Sequence, residues 1–419
     1  MGSLRRAAQP LPLILLTLLV AIAGSACGSA GPSGEGGGKI ALVDDNLVIV
    51  NADGSGTPTV PPEPFGVIGP TWSPDGSELA FEESDYVSAV RADGRHYARL
   101  YFIDNIGTTG WTWSGKSDEL AYVVGEPPVI FAVGADGHGR RKVVNGDAPT
   151  WSPDGKTIAF VRGGFIRVIA GDGTGERKVA RVHGSPGYVG DEGSTGGTLL
   201  WSSDNQKIAY MTSFWKNPKK SCESGGNCNY IDPDTNIEGC RLHIVRVNDG
   251  SEVQIVGGGL LGSFEEQCDF AWSPNGKEIA FSRNGFLYAV SADGRRERRL
   301  GRGLAPLWSP DGSHIAVKLL HPAYVNGFDQ PNATVYVIDV QRHAEHRLAP
   351  SDDRSWSPDG KALVIARTVK DPTQDENGAY TPGEWVIETF DADGGHRRKI
   401  WPNTPTTETC ECGEPTWQP

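Results

Sequence analysis

The sequence predicts an all-β fold, an eight-bladed β-propeller. Three observations carry this: a ten-residue motif opening on Trp-Ser recurs along the chain, an Ala-Asp-Gly type of turn follows most copies, and each chain end holds a fragment of one unit. Composition agrees. Glycine (55) and proline (29) are abundant, 38% of residues are hydrophobic and 22% charged, which suits a large core of short strands joined by turns and excludes a disordered chain.

The first element is a leader. Arg5-Arg6 precede an apolar run from Leu11 to Ala23 and the small residues Gly24-Ser25-Ala26, the parts of a signal peptide over residues 1–26, and the run is too short to span a bilayer. The Ala26-Cys27 step resembles a bacterial lipobox, in which the cysteine is lipidated and becomes the mature N-terminus. Gly24 stands where that pattern usually has Leu, and ordinary cleavage with release is the alternative. Residues 27–38 are rich in glycine and serine and read as a flexible tether. Loss of 1–26 takes the formal charge from −13 to −15, which argues against a nucleic-acid partner.

The repeats follow as a single domain over 39–419. Five copies are close, Trp72–Phe81, Trp151–Phe160, Trp272–Phe281, Trp308–Val317 and Trp356–Ile365, and two have drifted, Trp113–Tyr122 and Trp201–Tyr210. Each unit reads as four antiparallel strands, A to D. Strand A ends on the Trp, Ser-Pro-Asp-Gly turns the chain, the Ile-Ala-Phe type of run is strand B, and strands C and D flank the Asp-Gly turn. One such sheet has two apolar faces and buries them only by stacking radially on others. The indoles of Trp72, Trp113, Trp151, Trp201, Trp272, Trp308, Trp356 and Trp417 are read as blade core, not as ligand-stacking residues.

The termini settle the count. Pro415–Pro419 is a strand A without its turn, and Lys39–Val43 is a strand B without a strand A, so pairing them closes the ring and leaves no open edge. Strand C (Asn46–Val50) and a strand D after Ala52-Asp53-Gly54 complete the eighth blade. Seven blades is the alternative if a drifted unit is not a true one.

These motifs resemble the TolB-type, WD40-like propeller repeat of bacterial envelope proteins, also found in the propellers of prolyl-oligopeptidase-like peptidases. The resemblance covers Lys39 to Pro419 and implies a fold rather than a partner, since TolB-like proteins carry a small domain before six blades.

Connections divide by length. A–B and C–D turns are short throughout, whereas 213–240, 319–332 and 368–384 between strands B and C, and 183–197, 257–268 and 403–414 between D and A, are long; these share one face, the expected binding surface. Six cysteines, Cys222, Cys228, Cys240, Cys268, Cys410 and Cys412, are disulfide candidates in an oxidising compartment, with Cys222–Cys228 and Cys240–Cys268 preferred among the first four; the spacing does not suit zinc. Asp232, Asp234 and Asn236 alternate oxygen ligands as a calcium loop does, but the Gly such a loop needs is missing, and an acidic turn is the plainer reading.

No serine stands in a G-x-S-x-G elbow, and the nine histidines are scattered over turns and strands. The function expected is therefore non-enzymatic: a monomeric, exported envelope lipoprotein, held to the membrane by its N-terminal lipid on the outer side of the cytoplasmic membrane or in the periplasm. No cofactor is expected, and its long-loop face binds an envelope protein or glycan. The alternative is a metal-dependent propeller enzyme of lyase or lactonase type acting near the central axis.

Overall fold

The structure, a computed structural model, describes residues 38–44, 46–55, 66–83, 86–102, 111–125, 127–183, 199–214, 220–222, 228–230, 239–256, 269–320, 333–351, 353–370, 373–374, 380–381, 384–402 and 413–419. Cys27, Cys268, Cys410, Cys412, Asp232, Asp234 and Asn236 lie outside the described residues, as does the expected fourth strand of the closing blade.

Seven four-stranded antiparallel sheets and one of three described strands form an eight-bladed propeller, and the described residues contain no helix. The Trp72 blade sets the pattern, with strand A at Val67–Trp72, B at Glu78–Glu83, C at Tyr86–Arg91 and D at Ala98–Phe102. Both drifted units are true blades. The Trp113 blade has strands Trp111–Trp113, Glu119–Val124, Val129–Gly134 and Arg141–Asn145, and the Trp201 blade has Leu200–Trp201, Lys207–Phe214, Gly239–Arg246 and Glu252–Val256.

Hydrophobic clusters occupy the seams between blades, and each of the eight joins one blade to the next. Between the Trp272 and Trp308 blades, for example, Ala280, Leu287, Ala289 and Leu300 of the first meet Trp308, Ile315, Val317 and Ile338 of the second. Six of the motif indoles are buried; Trp272 and Trp417 are half-buried but pack against the same kind of cluster. An indole also carries a donor, and this one is aimed at the neighbouring blade. Trp72, Trp113, Trp201, Trp272, Trp308 and Trp356 donate Nε1–H to the carbonyl just before the motif Trp of the preceding blade, at 3.0–3.2 Å (Thr416, Thr71, Thr150, Leu200, Ala271 and Leu307). The A strands are thereby bonded to one another around the axis, with the D strands outermost.

The motif serine is structural. In the Trp308 blade, buried Ser309 donates Oγ–H to Asp311 Oδ1 (2.6 Å) and accepts the amide of His314 (2.9 Å), while Asp311 Oδ1 accepts the Ser313 amide (3.0 Å). Burial alone would raise the Asp311 carboxyl; the hydrogen bonds from Ser309 and Ser313 outweigh it and hold the group below its ordinary value.

The chain ends close the ring. Strand Gly413–Trp417 pairs antiparallel with Lys39–Asp44, Ile40 opposite Trp417 and Ala41 opposite Thr416. Gln418, where other blades have the motif serine, accepts the Lys39 amide at Oε1 (3.0 Å), donates Nε2–H to the Gly76 carbonyl (2.7 Å), and bonds through its own amide to the Lys39 carbonyl (2.7 Å). The last residues of the chain thus fasten the first strand to the turn of the neighbouring blade.

Candidate functional site

Strand A begins, and strand B ends, on the face that carries the D–A and B–C connections. Long B–C segments are partly paired: strand B of the Trp201 blade runs on to Phe214 opposite Gly239, and short hairpins lie at Lys220–Cys222 with Cys228–Tyr230 and at Thr373–Gln374 with Tyr380–Thr381. The first hairpin sets Cys222 directly opposite Cys228 in backbone register. Cys240 faces Ser213 across strands B and C.

Where the D–A link is tight, glycine makes it so. Gly146 and Gly303 have φ of 154° and 144°, and a Cβ on either would lie 2.5 Å from Phe160 or Val317. Two residues on, Ala148 and Ala305 take positive φ (50° and 49°) before a proline, breaking the A–B register in a bulge that Gly69 (φ 61°) repeats in the Trp72 blade. At one of these bulges the Ala305 carbonyl accepts a hydrogen bond from the Arg354 guanidinium of the next blade.

Charged residues lie at the starts of A strands and the ends of B strands: Asp147 and Arg354 within A strands, Asp269 and Asp353 immediately before them, and Glu82 and Lys318 near the ends of B strands. Surrounding protein raises the Asp269 carboxyl above its ordinary value, and the attraction of Arg354 and Lys318 only partly offsets it. Burial likewise raises Glu82. Among the described residues no group of three His, Cys, Asp or Glu is arranged to hold a metal ion, and no helix is long and apolar enough to cross a membrane.

A second polar cluster lies in the seam between the Trp151 and Trp201 blades, where histidines far apart in sequence converge. His243 bonds through Nδ1 to Glu252 Oε1 (2.5 Å) and through Nε2 to Thr212 Oγ1 (3.0 Å), His183 Nε2 lies 3.1 Å from Glu252 Oε2, and the Tyr210 ring stacks on His243 at 4.6 Å. The order hydroxyl, imidazole, carboxylate is that of a proton relay. Thr212 and His243 are, however, 7% and 1% exposed and sealed within the seam. Other blades build an equivalent node from different residues: buried Glu83 takes Ser88, Tyr97 and Arg99, and buried Glu388 takes Arg367 and Arg397. The His243 cluster is the Trp201 blade's version of that structural node, satisfied when the imidazole is neutral with its proton on Nδ1. Sequence reading missed it because His183 and His243 share no motif or spacing.

The sequence matches no family model. Dipeptidyl-peptidase 5 of Porphyromonas gingivalis is 24% identical over 340 residues, covering 66% of this chain and 47% of the relative, so the chain spans about half the length of that curated protein. Among solved structures, the dihydro-heme d1 dehydrogenase NirN in complex with DHE aligns over 88% of this chain and 74% of its own at 14% identity, with a TM-score of 0.55. TolB from Acinetobacter baumannii aligns over 84% of this chain and 81% of its own at 16% identity, with a TM-score of 0.35. Structures aligning with this chain thus include TolB and other propeller proteins, and at these identities the likeness concerns the fold alone.

Proposed function

We propose that this propeller is a non-enzymatic component of the bacterial cell envelope, exported and lipid-anchored through Cys27, whose long-loop face binds a protein or glycan partner. The observation that supports this is the asymmetry of the disc. Among the described residues, every A–B turn is short and braced by a serine bonded to an aspartate or, at Asn275, an asparagine, and the short C–D turns by an aspartate that accepts a backbone amide, while the long connections join strand ends on the other face. A rigid ring with one elaborated face is a scaffold for recognition. The peptidase activity named for the relative is not carried over, because no serine here stands in a G-x-S-x-G elbow.

The test replaces residues 215–238 by Asn-Gly, joining Phe214 to Gly239, which already face one another across the B–C pair. The ring is expected to keep its thermal transition while losing a partner cross-linked to the unaltered protein on intact cells. Unchanged cross-linking moves the site elsewhere, and a stoichiometric transition metal in the purified protein would favour metal-dependent chemistry instead.

A further inference from the structure

Directly opposed residues of an antiparallel sheet present their side chains on one face, and in the Trp72 blade one such row crosses all four strands at the long-loop edge: Ile68, Glu82, Val87 and Tyr101. Val87 and Tyr101 belong to the cluster shared with the Trp113 blade, which places the row in that seam. From the other side of the seam, half-buried Trp111 packs on the same cluster. It stands opposite Tyr122, whose ring stacks on Tyr101 with centroids 3.6 Å apart.

Four features of this place are not required by the fold. Glu82 is half-buried, and among the described residues it has no hydrogen bond and no ion pair, so burial raises its carboxyl with nothing to offset it. The neighbouring Glu83, on the opposite face, has Arg99 as its counter-ion. At the Glu82 step of strand B the other blades place Val43, Val123, Val161, Met211, Ser282, Lys318 and Ala366, so no other blade has an acid there. Tyr101 Oη is buried without a partner, close enough to Glu82 for that charge to raise the phenol further. Ile68 is 41% exposed, the only exposed large hydrophobic side chain among the described residues. Trp111 stands where four other blades have Pro70, Pro149, Pro306 and Pro415. Water hydrates a carboxylate and a phenol, but it neither neutralises the charge nor covers an isoleucine.

We propose that the seam between the Trp72 and Trp113 blades binds an alkylammonium group, the side chain of a lysine on a protein partner. Glu82 supplies the missing counter-charge, Tyr101 Oη accepts an ammonium N–H, and Ile68 and the Trp111 ring cover the methylene stem. An amino sugar carries its amine on a polar ring with no such stem, which is why the site suits a protein and not a glycan. The inference rests on the reading that the long-loop face holds a partner, and narrows that partner to a protein.

The test titrates the purified protein with N-acetyl-lysine methylamide and reads saturation transfer to the probe's methylenes by NMR. A Kd on the order of 1 mM is expected, rising with salt. N-acetyl-norleucine methylamide, a similar stem without the charge, should bind about tenfold more weakly. Glu82→Gln should weaken the lysine probe about tenfold while raising thermal stability, because it removes a charge buried without a counter-ion; a carboxylate with a purely structural role would lower stability when lost. Tyr101→Phe and Ile68→Ser should each weaken the probe about threefold with thermal stability little changed, since one removes a hydroxyl bonded to no protein group and the other lies at an exposed position. Equal binding of the norleucine probe, a Glu82→Gln variant that binds as the parent does, or glucosamine binding more tightly than the lysine probe would overturn the proposal, the last by pointing to a glycan amine. Probe binding without any cross-linked partner on cells would sustain the ammonium site and refute the partner reading, and cross-linking without probe binding would do the reverse.

Discussion

Replacing Trp308 by phenylalanine, with the same change at Trp151 as an internal comparison, isolates the inter-blade hydrogen bond from the apolar packing. The two indoles are equally buried, at 7% and 6% exposed, in seams of similar composition. Trp308 Nε1 donates to the Ala271 carbonyl at 3.2 Å, whereas Trp151 Nε1 is buried with no partner. Trp308→Phe loses a bond worth about 0.5–1.5 kcal/mol, while the Ala271 carbonyl keeps its ladder partner Ala280. Trp151→Phe loses a comparable apolar volume but also removes an orphaned donor. Trp308→Phe should therefore be the less stable variant by about 2 kcal/mol, read from urea unfolding with midpoint and slope compared together. Equal stability, or a greater loss at Trp151, would refute the claim that the indole ring ties the blades through its nitrogen.

Three further outcomes follow from the same geometry. Gln418→Ala removes two side-chain bonds at the closure and should cost about 1–3 kcal/mol, seen as faster amide exchange over residues 39–44. Gly303→Ala sets a Cβ against buried Val317 at a φ of 144° and should lower stability by about 3 kcal/mol in thermal unfolding, with Gly312→Ala, which has more room, costing less. Burial lowers the His243 imidazole despite Glu252, so the folded protein takes up that proton less readily than the unfolded chain does. Its contribution to stability is thus full above the unfolded value of about 6.5 and is lost as pH falls toward the lower folded value; His243→Gln should flatten thermal stability measured between pH 7 and 5.

The parts of the fold legible in the sequence are those fixed by local chemistry. The serine, aspartate and glycine of each turn bond within a few residues of one another, so the A–B turns can be read directly, and the orphan strand A at Trp417 needs the orphan strand B at Ile40 because each lacks a partner of its own. What was not legible depends on contacts between blades. Gly115 looked like drift, yet a Cβ there would lie 1.9 Å from the Pro153 carbonyl of the next blade. The bulges at Ala148 and Ala305 show only as Ala-Pro dipeptides, and the His183–Glu252–His243 cluster joins three strands and two blades with no periodic signal. The division of the faces was visible as loop length.

Hydrogen exchange of the peptide spanning residues 413–419 tests the closed ring most directly. Closure of the ring should give slow exchange comparable to the interior strands, because the segment is paired with Lys39–Asp44, and collapse of that protection when residues 1–44 are removed. Fast exchange in the intact chain, or protection that survives the truncation, would contradict it.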